Sequence, residues 1–318
     1  MLKLIHAVAF LLIASLVTSC ERLAPVSPKE DAKPVVVATT THMADLVRQI
    51  GGNHFTVIPL MKAGVDPHSY RATAKDITCL QSADLIVFHG LDLEGKMARI
   101  LKETKLNSGN PFSPCENLPK EELLSDEDGT DNTDPHLWFS PDLWIQCGQQ
   151  VADKLGELLP EKHSMLQANL EEFRQSVEAI DQWGKSLIET IPSQSRILIT
   201  SHDAFRYFGE HFGIQVLALQ GINTLAEAGL ADRANLVQFI KDNQSPALFI
   251  ESSVNPKALQ EIARETGSVI GGTLFSDALG TEAQQVVGPN SEVLSTATWQ
   301  GMMAHNLSTI QKALVKAL

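Results

Sequence analysis

The chain has 318 residues and carries 38 acidic against 25 basic side chains, a formal net charge of −13. That balance argues against nucleic acid as a partner and against attachment through a polybasic membrane-binding surface. The four cysteines, Cys20, Cys79, Cys115 and Cys147, form no CxxC pair. A disulfide-built scaffold is thereby ruled out, a thiolate metal site is disfavoured, and at most one disulfide can form among the last three.

Met1-Leu2-Lys3 supplies one positive charge, and residues 4–17 are apolar apart from His6 and Ser15. Such a run is too short to span a bilayer and has the length of a signal h-region. It ends in Leu16-Val17-Thr18-Ser19-Cys20, which resembles a bacterial lipobox with Cys20 as the lipidated residue. Residues 1–19 are expected to be a lipoprotein signal peptide. Residues 20–33, rich in proline, charge and small side chains, are expected to be the lipidated cysteine and a flexible tether. The mature protein then lies outside the cytoplasm, in a periplasm or at a cell surface, anchored to the membrane by lipid.

From Pro34 onward strands and helices alternate. A β-branched run at 34–39 precedes a helical pattern at about 42–50 that Gly51-Gly52 stops. A strand at 55–60 leads into a loop, 61–70, that holds Asp66-Pro67-His68. A helix at about 73–81, a strand at 84–88 and a helix over 93–101 follow. After a loop-rich stretch, Asp134-Pro135-His136 sits just before Ser140-Pro141-Asp142, an N-cap with proline at the first helical position, and a helix runs to about 159. Residues 161–191 read as one long helix with apolar positions at Met165, Leu170, Phe173, Val177, Ile180 and Leu187. Four more strands, at 197–200, 214–218, 247–250 and 268–270, alternate with helices, and a last helix is expected from about 291 to 318. The pattern predicts an α/β fold of two lobes, 34–160 and 192–318, each a mainly parallel sheet flanked by helices, joined by a rigid helix at 161–191.

In open parallel sheets ligands bind beyond the carboxyl ends of the strands. His68, His202 and Asp277 each follow a predicted strand, and His136 lies at a loop-to-helix junction, so all four fit a cleft between lobes. Three imidazoles and one carboxylate suit a first-row divalent metal such as Mn, Zn or Fe. Asp66 and Asp134, two residues before a histidine, are positioned to fix the loops or the ring tautomers from behind. His42 and His89 also lie near strand ends, and Ser201-His202-Asp203 reads equally as a helix N-terminus.

The segments Val65-Asp66-Pro67-His68-Ser69-Tyr70, Asp134-Pro135-His136-Leu137-Trp138, Thr200 to Phe208 and Gly271 to Ala278 resemble the four metal-ligand segments of TroA-like receptors of manganese and zinc ABC importers. Gly90 to Gly95, Phe249 to Ser253 and His305 to Ile310 are further matches. The resemblance implies one transported Mn2+ or Zn2+ ion, or Fe2+, per chain, held by His68, His136, His202 and Asp277. It also implies a membrane permease with its cytoplasmic ATPase as partner, and the chain is expected to act as a monomer. At the third ligand position some manganese or iron members carry glutamate, and here it is His202. Zinc-specific members often insert a histidine-rich loop before the second ligand segment. Here Glu121 to Asp128 is acidic and free of histidine, which weakens the zinc-specific reading.

Two other classes compete. A metallohydrolase needs an open metal position and a general base; no His-Glu-x-x-His helix is present, and Glu251, at a strand end, is the one candidate base, otherwise a residue supporting the site or the fold. An adhesin role, sometimes attached to this family, has no direct support in the residues.

Overall fold

The computed structural model describes residues 33–104, 111–125, 133–226, 228–243 and 247–316. The expected signal peptide, Cys20 with its expected lipid, almost all of the expected tether and residues 126–128 of the acidic run lie outside them. Pro34 to Leu318 form one compact unit.

The first lobe is built on β1 (Val35–Ala38), β2 (Thr56–Pro59) and β3 (Leu85–Val87), all parallel, in the order β2-β1-β3. Alternate side chains of a strand face opposite sides of its sheet. Val36, Ala38, Leu85 and Val87 enter one apolar cluster, whereas Val37 and Ile86 enter another with Leu80, Met97 and Leu101. Helix α1 (Thr41–Gly51) covers the first face and is capped by Thr40, whose hydroxyl accepts from Met43 N. Helix α2 (Ala74–Gln81) has a reciprocal capping box between Thr73 and Asp76 and covers the second face together with α3 (Ala98–Glu103). Helix α4 (Pro141–Leu158) begins with proline at its first position, as its sequence predicts.

The second lobe repeats the logic. Parallel pairs β4 (Ile197–His202) with β5 (Gln215–Gln220) and β6 (Ala247–Glu251) with β7 (Val269–Leu274) meet where β4 lies against β6. Helices α6 (Arg206–Phe212), α7 (Leu230–Asn243), α8 (Lys257–Thr266) and α9 (Trp299–Lys316) flank them. Ile199 and Leu248 point into a satellite cluster with Leu236, Ile240 and Ile262, while Leu198, Ala247 and Phe249 point into the large cluster that also holds Val36 and Trp138. One core therefore runs through both lobes.

Helix α5 (His163–Glu189) spans 27 residues, about 40 Å at helical rise. It packs against α1 and α4 of the first lobe and α6 and α9 of the second. Gly184 lets α5 approach the second lobe: a Cβ there would stand 2.8 Å from Leu307 and 2.9 Å from Phe212. The long helix read from the sequence is present, two residues shorter at each end.

Three elements depart from expectation. The helix expected over 93–101 starts only at Ala98: Gly90, Leu91 and Asp92 take positive φ, and the residues after them form turns closed by Leu93 N to Gly90 O and Met97 N to Glu94 O before the helix begins. The last helix starts at Trp299 and not near 291. An antiparallel hairpin of β8 (Gln285–Val287) and β9 (Val293–Ser295) occupies the preceding stretch. The strand expected at 268–270 continues to Leu274 after a register shift opposite Leu248 and Phe249. No described helix is long and apolar enough to cross a membrane.

Asp45 of α1 joins the lobes by accepting from Trp299 N, the first residue of α9, at 2.8 Å and from Gln49 Nε2 at 2.7 Å. Burial raises its carboxyl from 3.8 to about 7, against those two hydrogen bonds and Arg48. A folded-state value above the unfolded one means a stabilising contribution that is complete below about 3.8 and lost as pH rises through about 7. Asp45→Asn cannot ionise and keeps an acceptor. Its melting temperature relative to wild type is expected to rise between pH 4 and pH 8, by the equivalent of a few kcal/mol on the order of 1.4 per pH unit crossed; a difference independent of pH refutes the assignment.

Candidate metal centre

Four side chains converge between the lobes. His68 lies on the loop after β2, His136 opens the single turn Leu137–Phe139 that leads into α4, His202 is the last residue of β4, and Asp277 follows β7 by three residues. One ligand atom from each lies within 4.8 Å of every other, and all four residues are buried. His136 Nε2 stands 3.3 Å from Asp277 Oδ1 and His202 Nε2 stands 3.2 Å from Asp277 Oδ2. These are about the edge lengths of a tetrahedron with metal–ligand bonds of about 2.0–2.1 Å. Nε2 of all three histidines and Oδ1 of Asp277 are buried and have no well-directed hydrogen bond, so the cluster turns these four atoms to a common centre.

Behind the rings stand carboxyls. Asp134 Oδ1 accepts from both His136 N, at 3.0 Å, and His136 Nδ1, at 2.7 Å. Glu251, at the end of β6, accepts through Oε1 from Ser201 N and His202 N, both at 2.9 Å, and its Oε2 is 2.6 Å from His202 Nδ1. Each of these rings thus offers Nε2 inward. Asp66 accepts from His68 N at 2.9 Å, from Ser69 Oγ at 2.7 Å and, across the lobes, from Thr224 Oγ1 at 2.6 Å. It fixes the loop and leaves the His68 ring alone. Ser201-His202 belongs to a strand end and not to a helix N-terminus, since α6 begins at Arg206.

The electrostatics follow from these neighbours. Burial opposes a charge on His136, but Asp134 and Asp277 outweigh it and hold the imidazole up at about 9. Burial likewise opposes charge on His202, and Asp277 with Glu251 raises it well above its ordinary value. Burial would raise Asp277, yet His202 and His136 hold it well below the carboxylate range. His68 has no such carboxyl at its ring, and burial lowers it to about 4 against the pull of Asp277. A divalent ion entering as two protons leave would preserve the charge of the cluster.

The two other topologically eligible histidines lie outside the cluster. His42 stacks on Trp138 with ring centroids 4.5 Å apart, and His89 bonds through Nε2 to Pro135 O at 2.6 Å. Burial lowers both to about 3. Glu251 has its two oxygens turned to the backbone and ring of His202, away from any position in which it could serve as a general base. Several supporting residues escape a reading of the sequence. Tyr207 Oη accepts from Leu124 N and donates to Asp134 O, and Arg206 Nη1 donates to Ser125 O, so the start of α6 grips the loop that carries His136. Asn306 of α9 takes Phe275 N and O in a reciprocal pair at 2.9 and 2.7 Å, fixing the turn to Asp277. The last two segments stand out in the sequence only as family matches, without a role attached to either residue.

A family model described as zinc-uptake complex component A, periplasmic, matches residues 36–313. The chain is 37% identical over 289 residues to the manganese-binding lipoprotein MntA of Bacillus subtilis, covering 89% of this chain and 90% of that one. It is also 37% identical over 291 residues to the zinc-binding protein TroA of Treponema pallidum, covering 90% of each. The solved structure of the periplasmic zinc-binding TroA of that organism superposes with a TM-score of 0.82 at 35% identity, over 89% of this chain and 99% of the other. With the match spanning both lobes and every segment of the cluster, the chain belongs to the family of the periplasmic zinc-uptake component A, as the resemblance of its ligand segments leads one to expect.

Proposed function

We propose that this protein is the extracytoplasmic receptor of a divalent-metal ABC importer, lipid-anchored through Cys20, that captures one Mn2+ or Zn2+ ion, or Fe2+, at His68, His136, His202 and Asp277. It then hands the ion to a membrane permease driven by a cytoplasmic ATPase. One observation carries the reading: four buried ligand atoms from four separate segments, two per lobe, face one point without competing partners. The names of the relatives, one manganese-binding and one zinc-binding, fit a ligand set that both ions accept. In this reading residues 34–160 and 192–318 are the two lobes, 161–191 is the strut between them, and the receptor acts as a monomer. Asp134 and Glu251 set the tautomers of His136 and His202, and Asp66 holds the His68 loop.

Calorimetric titration with Mn2+ and Zn2+ is expected to give one tight site per chain, and His68→Ala is expected to abolish it. A variant that binds as wild type does removes His68 from the ligand set. Glu251→Gln turns an amide N–H2 toward His202 Nδ1 and disfavours the tautomer that leaves Nε2 free; affinity should fall by about 10–100-fold with the fold retained. Equal affinity of wild type and E251Q would show that Glu251 serves the strand ends alone. Thr224→Val deletes the cross-lobe hydrogen bond to Asp66. Loss of metal to a chelator, followed by stopped flow, should accelerate several-fold in T224V and return to the wild-type rate in Thr224→Ser. An unaltered rate in T224V would mean that this bond does not hold the site closed.

A further inference from the structure

Two cysteines that the metal cluster does not use lie against each other. Cys115, just beyond the bridge that Phe112 makes to Val87, and Cys147, on the inner face of α4, are fully buried in the same apolar core. Their sulfurs are 3.6 Å apart and unbonded. A disulfide bond is about 2.05 Å long, so side-chain rotation of the pair needs to close about 1.5 Å. Cys79 offers no alternative partner, because it packs at the edge of the cluster on the opposite face of the first sheet and is partly exposed.

We infer that Cys115 and Cys147 form a disulfide that closes a ring around the segment carrying Asp134-Pro135-His136. The inference rests on the extracytoplasmic placement proposed above, since disulfides persist in oxidising compartments. The oxidant is an external disulfide, either a small-molecule disulfide or an oxidised dithiol protein. One cysteine thiolate attacks it, forming a mixed disulfide and releasing one external thiolate. The second cysteine thiolate then attacks the protein sulfur of the mixed disulfide and releases the other external thiolate. Two cysteine thiols are oxidised, one external disulfide is reduced to two thiols, and the protons pass from the former to the latter. Burial pushes the Cys115 thiol well up and covers both sulfurs, so the exchange belongs to folding, before the core closes.

His89 stands between the cysteine pair and the metal site. Cys115 Sγ is 3.7 Å from His89 Nδ1, and the other nitrogen of that ring bonds to Pro135 O, the carbonyl next to His136. The two cysteines are 32 positions apart, and the stretch of sequence between them holds the acidic run as well as His136. Closing it removes conformations from the unfolded chain and leaves the four metal ligands untouched.

The test uses the full chain. Protein recovered from the cell envelope is denatured in an alkylating reagent without reductant, and the peptides containing Cys79, Cys115 and Cys147 are mapped by mass. A Cys115–Cys147 linked peptide with alkylated Cys79 is expected, and reductant before alkylation should abolish the link. In parallel, reduced chain is refolded in a glutathione redox buffer. A link that forms there but is missing in envelope protein supports the pairing and counts against the compartment. Alkylated Cys115 and Cys147 in both preparations, or a link through Cys79, overturns the inference. The oxidised wild type should melt several degrees above its reduced form, whereas Cys115→Ala/Cys147→Ala should show no such redox dependence and should bind metal as wild type does.

Discussion

The removal of the Asp277 carboxylate from water constrains the rest of the site. An isolated buried carboxylate is costly enough to take up a proton instead, and Asp277 is 1% exposed. It stays ionised because His136 and His202 face it. Those rings are held by Asp134 and Glu251, and those carboxyls by the amides of His136, Ser201 and His202. The balance thus passes outward in steps until it reaches backbone N–H groups at the ends of strands and turns that the sheets fix in place. A cluster supported in this way is ordered without an ion, and its charge would be the same whether two protons or one divalent cation occupied it.

The continuous core sets what can move. Trp138, Phe139, Phe205, Phe208 and Trp299 lie in one cluster that belongs to neither lobe alone, with Phe139 stacked on Phe205 at 4.6 Å and Trp299 Nε1 donating to Trp138 O. Parting the lobes would expose such side chains at about 150–250 Å² each, several kcal/mol apiece. Beside His68, among the described residues, one side-chain hydrogen bond, Thr224 to Asp66, ties the loop after β5 to the first lobe, and breaking it costs far less than parting that core. The 27-residue helix behind both lobes reinforces this division between a fixed back and a local front.

Much of this order is written in local patterns. The alternation of Val36 and Val37, or Leu248 and Phe249, between two core clusters is the period-2 signal from which strands are read, and Pro141 or the Thr73–Asp76 box marks where helices begin. The β8–β9 hairpin is hidden because each strand has only three residues, and the second falls inside the helix expected from about 291, which begins at Trp299. Contacts between distant segments leave no local trace at all: Thr224 and Asp66 are 158 positions apart, and Asp45 caps a helix 254 positions away.

The two Asp-Pro-His tripeptides mark the boundary of what a motif can say. In both, the aspartate accepts the amide two residues on, across a proline that has no N–H to compete. That much follows from the tripeptide itself. At Asp134 the surroundings are sealed by Tyr207 and Leu124, and the same oxygen that takes the amide also takes His136 Nδ1. At Asp66 the second oxygen turns outward to Ser69 and Thr224. One copy therefore fixes a ring and the other fixes a loop. The difference arises because the first is walled in by the opposite lobe while the second lies at its rim.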